Sequence, residues 1–127
     1  MHVAAGQTLV LTVTPDDVPR ARRALKRWLM DAGIAELSAC DIVLGATEAA
    51  AEAIAHAASR ITVTAAIEQA AVVLTVVDDG RWRDPETGLG TLRGHALTMV
   101  EAASAHFEIA HADDRTTLTA RFRLETA

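Results

Sequence analysis

Two aspartates and a glycine, Asp78-Asp79-Gly80, end an almost unbroken apolar, β-branched run from Ala71 to Val77. Such a run is the pattern of a strand buried on both faces. A carboxylate at its end can accept a hydrogen bond from an exocyclic amine, the way a pocket reads adenine. The plain alternative is a turn cap, since Asp and Gly both form turns. Upstream, Glu48 and Glu52 stand four residues apart with His56 one turn further along, so all three share a helical face. Carboxylates there suit a hard cation such as Mg²⁺, which takes oxygen ligands and is commonly shared with phosphates. A solvated acidic edge would read the same way. Downstream, Gly88, Gly90 and Gly94 precede a helical pattern, and the N–H groups and dipole of a helix start favour an anion. Amine reader, metal carboxylates and anion cradle together are the parts of a nucleotide pocket. Thr116 and Thr117 either lend it a hydroxyl or serve only as strand formers.

These residues must be held by ordered elements, and the periodicity says which. Gln7 to Thr14 alternates Leu9, Leu11 and Val13 against threonines, the period of a half-buried strand. Pro15-Asp16-Asp17 supplies cap residues and Pro19 fits only a first helical turn. The helix that follows turns Val18, Ala21, Leu25, Trp28 and Leu29 inward and stops at Gly33. A second helix starts at Ser38 or Asp41 and runs to about Ala58, with Ile42, Val43, Ala46, Ala50, Ala53 and Ile54 as its apolar stripe. Its many alanines let it press closely onto a sheet. Arg60 to Glu68 and Ala71 to Asp78 are joined by a turn too short for a helix and so form an antiparallel hairpin. Asp79 to Arg93 is a long glycine-rich loop of the kind that is usually functional or mobile. A third helix is expected over His95 to Ser104, then an antiparallel pair, Phe107 to His111 and Thr116 to Leu124. The order gives an α+β two-layer sandwich: a mixed, mostly antiparallel sheet of about five strands with three helices on one face.

Composition narrows the class. The chain has 127 residues, half of them apolar, which suits a single domain over 1–127 with a substantial core. A net charge of -5 argues against non-specific nucleic-acid binding. The basic residues between Arg20 and Arg27 are either a solvated helix face or a dock for an acidic partner. Cys40, the lone cysteine, is expected to be a small buried hydrophobe inside the second helix. No signal peptide or bilayer-spanning run is evident, so the expected location is the cytoplasm, without a membrane.

With these residues in view, the chain resembles the anti-sigma-factor serine kinases of the GHKL, or histidine-kinase-like, ATPase superfamily, over nearly its whole length. Glu48-Ala49 through Ala53-Ile54-Ala55-His56-Ala57 is similar to the family's first box. Asp78-Asp79-Gly80-Arg81-Trp82-Arg83 is similar to the second. Arg93-Gly94-His95-Ala96-Leu97-Thr98-Met99-Val100 resembles the third, and Asp114-Arg115-Thr116-Thr117-Leu118 the closing Asp-Gly-Thr-Thr motif.

The resemblance implies an ATP- and Mg²⁺-dependent regulator. Glu48 would orient or deprotonate the attacking hydroxyl, Glu52 would hold the metal, and Asp78 would read the adenine amine with Thr116 in support. Gly80 would give the base room, while Arg93, Gly94 and Ala96 would line the phosphates. The implied partners are a sigma factor and an anti-anti-sigma (STAS-type) protein that carries the target serine, and a homodimer is among the implied assemblies. Three positions depart from the family pattern. Glu52 replaces the metal-binding asparagine, Ala96 the second phosphate-loop glycine, and Arg115 a turn glycine. Arg115 either blocks the adenine end or points outward. The rival reading is a non-catalytic, partner-binding module of the same fold that has lost nucleotide. The catalytic fragment of a histidine kinase is disfavoured, because no phospho-accepting hairpin precedes the domain.

Overall fold

A computed structural model describes residues 6–56, 58–68, 70–80, 104–112 and 115–124. Among the described residues, five strands form one sheet in the order β1-β2-β3-β5-β4. They are β1 (Thr8–Val13), β2 (Ile61–Glu68), β3 (Ala71–Asp78), β4 (His106–Ala112) and β5 (Arg115–Arg123). Every neighbouring pair is antiparallel, so the expected mixed or antiparallel sheet is of the second kind. β3 has the expected bounds, β2 differs by one residue at its start, and β1, β4 and β5 differ by one residue at each end.

Two α-helices lie among the described residues, α1 (Val18–Asp31) and α2 (Glu36–Ala55), with a single 3₁₀ turn at Pro15–Asp17 before α1. The two helices pack on each other, α1 against β1 and α2 against β2, β3 and β5. The expected third helix and the loop from Arg81 onward fall outside the described residues. Among those described, no helix is long and apolar enough to cross a membrane.

The period-two pattern explains the layering. Ile61, Val63, Ala65 and Ile67 of β2, Leu74 and Val76 of β3, and Leu118, Ala120 and Phe122 of β5 are all buried. They turn toward Leu25, Leu29, Ile42 and the alanines of α2, since alternate residues of a strand share a face. The opposite face carries Thr62, Thr64, Thr75, Thr117 and Thr119, all half-buried.

α1 ends as its sequence demands. Gly33 takes φ +92°, its N–H reaches Met30 O at 3.0 Å, and Ile34 N–H reaches Leu29 O at 3.1 Å. That is the Schellman arrangement, with buried Ile34 packing back over the last turn. α2 begins two residues before Ser38, at Glu36, whose charge suits a helix start. The same helix corrects one expectation: Cys40 is exposed. Buried Ala39, Ile42, Val43 and Ala46 define the inward stripe, and position 40 stands about 100° off Ala39 around the helix.

Candidate functional site

The alternation that buries Leu74 and Val76 carries on to Asp78, so the last side chain of β3 faces the helices. Its residue is 3% exposed. Ile61 and Thr116 flank it in the register, on β2 and β5, and Thr116 is also buried. Asp78 Oδ1 accepts the N–H of Gly80 at 2.8 Å, an Asx turn that bends the chain as it leaves the sheet. A carboxylate has about four acceptor positions, more than Gly80 uses.

Gly80 is a glycine for a reason the sequence did not show. A Cβ there would lie 2.8 Å from the carbonyl oxygen of His56, 3.0 Å from Asp78 Oδ1 and 3.1 Å from Ala58 Cβ. The turn after β3 is thus pressed against the end of α2, and only a residue without a side chain permits that approach.

The end of α2 brings Glu52 and His56 to the same place. Both are buried, and Glu52 Oε2 stands 3.5 Å from His56 Nε2 across one helical turn. This partner for Glu52 was not expected, although the i, i+4 spacing was visible. Glu48, a turn earlier, is half-buried. Among the described residues no group of three or more His, Cys, Asp and Glu side chains comes close enough to cage a metal. A cation at Glu48 and Glu52 would therefore need further oxygen ligands, as Mg²⁺ takes from water and phosphate. The carboxylate donors suit such an ion, and buried Asp78 beside Thr116 suits an amine-bearing base. Arg93, Gly94 and Ala96 lie outside the described residues.

Asp79, the next residue, points to the other side of the sheet, where its carboxylate is fully engaged. Oδ1 accepts from Ser59 N–H at 2.8 Å and Arg60 N–H at 3.1 Å, and Oδ2 from Ser59 Oγ at 2.6 Å. These bonds, led by the Ser59 hydroxyl, hold its pKa below the ordinary Asp value against a small opposing effect of burial. Sequence reading missed this contact, because it joins residues 19 and 20 apart and two of its three donors are backbone groups. Thr14, Ser59, Arg60, Thr62, Val77, Asp79 and Arg115 border an open depression of about 690 Å³ there, with Asp78 at its edge. Arg115 is exposed and opens β5 opposite Ala112. By the alternation of β5 it stands on the face opposite buried Thr116.

An open antiparallel sheet with helices on one face, and a buried acid where its central strand ends against them, is the architecture of an ATPase sandwich. The chain belongs to the histidine kinase-like ATPase family, whose domain profile matches residues 11–122. Domains of this family bind ATP, generally with Mg²⁺. The likeness to the anti-sigma-factor serine kinases holds for family and fold. A crystal structure of the RsbU and RsbW domains of Rv1364c from Mycobacterium tuberculosis is similar to this chain, with TM-score 0.76 and 25% identity. The similarity covers 95% of this chain and 33% of that one, so the chain spans about a third of that neighbour's length. No curated protein matches the sequence.

Proposed function

We propose that the chain is a regulatory ATP-binding domain, 1–127, of the anti-sigma-factor kinase type, which binds a sigma factor and phosphorylates a serine of an anti-anti-sigma partner. The observation that carries the reading is Asp78: an acid 3% exposed, at the end of a central strand, beside buried Thr116. A buried acid at the end of a central strand, already shaped by its bond to Gly80 N–H at 2.8 Å, suits the recognition of a polar group brought by a ligand. In this reading Asp78 accepts the exocyclic amine of adenine. Glu48 orients the attacking hydroxyl, Glu52 contributes an oxygen to Mg²⁺, and Arg93, Gly94 and Ala96 meet the phosphates. Mg²⁺, when bound, neutralises the charge that develops on the transferring phosphoryl group.

The basic face of α1 supports the partner part of this reading. Arg20, Arg22, Arg23, Lys26 and Arg27 of α1 are exposed, and none of them makes an ion pair among the described residues. Five cations on one helix of a chain with net charge -5 suit an acidic partner segment.

A second reading, a partner-binding module without nucleotide, draws on Glu52. Its contact with His56 at 3.5 Å gives that side chain a use unrelated to metal. Calorimetric titration with Mg·ATP separates the two. Binding by the wild type, abolished in Asp78→Ala while the helical circular-dichroism signal is kept, supports the first. No heat of binding at millimolar ATP with Mg²⁺ present leaves the module.

A further inference from the structure

Asp79 touches nothing that the proposed function uses, yet its carboxylate accepts three hydrogen bonds. Both oxygens are engaged, by the Ser59 and Arg60 N–H groups and the Ser59 hydroxyl, at 2.6–3.1 Å. Its own N–H points at Arg60 O, a longer contact of 3.4 Å. Arg60 and Arg115 border the same depression, but Asp79 pairs with neither guanidinium within 4.0 Å. Its charge is spent on the backbone between α2 and β2, where charge-assisted bonds are strong and directional.

We propose that Asp79 is a positioning residue: by fastening the turn after β3 to residues 59 and 60, it fixes the aim of the neighbouring Asp78 carboxylate and so sets selectivity for a purine that carries an exocyclic amine. The inference rests on the reading of Asp78 as the adenine acceptor. Three contacts hold this turn in place. Asp79 clamps it to Ser59 and Arg60 on one side of the sheet. On the other side Asp78 Oδ1 closes onto Gly80 N–H at 2.8 Å. Gly80 itself sits against His56 O and Ala58. His56 and residues 58–60 are therefore the common support of the turn, just past the helix that bears Glu48 and Glu52. Without the clamp, the chain from Asp78 to Gly80 keeps its strand pairing only as far as Asp78, and the carboxylate is free to rotate away from a fixed amine.

The test compares two nucleotides that differ at the atom concerned. ATP carries the amine, whereas ITP carries a carbonyl oxygen there and meets Asp78 as acceptor against acceptor. Calorimetric titration of the wild type with Mg·ATP and Mg·ITP is expected to favour ATP. Asp79→Ala is expected to lower ATP affinity by roughly ten- to a hundredfold, the scale of one hydrogen bond to an ionised group. Its ITP affinity should change far less, so the ATP/ITP ratio collapses. Asp79→Asn keeps an acceptor oxygen for the two N–H groups and should restore most of the ratio. Ser59→Ala removes only the 2.6 Å bond and should narrow the ratio in the same direction, which keeps the test open if Asp79→Ala does not fold. A general loosening of the domain would weaken both nucleotides alike, and that result would overturn the proposal. So would an unchanged ratio in Asp79→Ala or, failing its expression, in Ser59→Ala. Wild type that binds neither nucleotide refutes the Asp78 reading itself, and the inference falls with it. Wild type that prefers ATP while the variants keep the preference refutes only the role of Asp79.

Discussion

The two ends of β3 are built on opposite terms. At the hairpin end, Ala71 pairs with Glu68 and Arg123, and the reversal is so tight that Ala70 takes φ +60°. The charges nearby are exposed, and Glu68 meets Arg121 at 2.6 Å with both side chains about half in solvent. At the other end, Asp78 is buried, Asp79 is held by three hydrogen bonds, and Gly80 is wedged beneath a helix carbonyl. Exposed pairs add little and tolerate change. Buried acids and forced glycines are costly to assemble, and such features gather where a protein does its work. One strand thus separates the demands of folding from those of the site.

The comparison breaks most readily at Gly80. Gly80→Ala places a methyl group 2.8 Å from His56 O, a backbone atom that cannot swing aside. Either the turn leaves α2 or the end of α2 moves, and overpacking of this kind costs about 1–3 kcal/mol. The thermal midpoint is expected to fall by several degrees, with loss of any nucleotide binding. A variant as stable as wild type would show the turn to be as forgiving as the hairpin.

A smaller effect is expected from acid. The folded-state pKa of Asp79 is lowered from 3.8, first by the Ser59 hydroxyl and then by the Arg60 and Ser59 N–H groups. A carboxylate lowered on folding adds stability above its unfolded pKa. That stability is lost as pH falls through the lower folded value, because the unfolded chain binds the proton first. Melting of wild type and Asp79→Asn should therefore differ at neutral pH and converge below about pH 4, the ordinary range for Asp. A constant gap from pH 7 down to pH 3 would show that the charge on Asp79 is not what holds the turn.

Much of the layering was legible because it depends on local period. The run from Ala71 gave β3 its bounds, and Gly33 stopped α1 where the apolar face ended. Family likeness was legible as well, since Glu48, Asp78 and Thr116 recur at family spacing. What escaped depends on contacts between distant segments. Nothing in Ser59 announces that its N–H and hydroxyl serve Asp79, and Gly80 reads as any turn glycine until the His56 carbonyl is placed over it. Cys40 was assigned to the core because it sits inside a helical pattern and an unpaired cysteine usually behaves as a small hydrophobe. The true stripe is only about 100° wide, and one residue of phase separates Ala39 inside from Cys40 outside. The i, i+4 spacing of Glu52 and His56 was visible, but not that the two side chains would meet at 3.5 Å in a buried place.

The least effect should come from the hairpin end. Arg121→Ala removes the 2.6 Å contact with Glu68, whose side chains are 43% and 50% exposed. An ion pair so placed gains little over its hydration and restricts two long side chains, so the expected loss is under about 1 kcal/mol. It should shrink further in about 1 M NaCl, where the screening length falls to about 3 Å. Part of whatever remains in salt is packing, since the arginine stem lies across Val73 and His106 in the register. Denaturant midpoints of wild type and variant at low and high salt measure both parts. A loss as large as that of Gly80→Ala, and insensitive to salt, would place a structural demand at the hairpin end equal to the one at Asp78, and the division of labour along β3 would not stand.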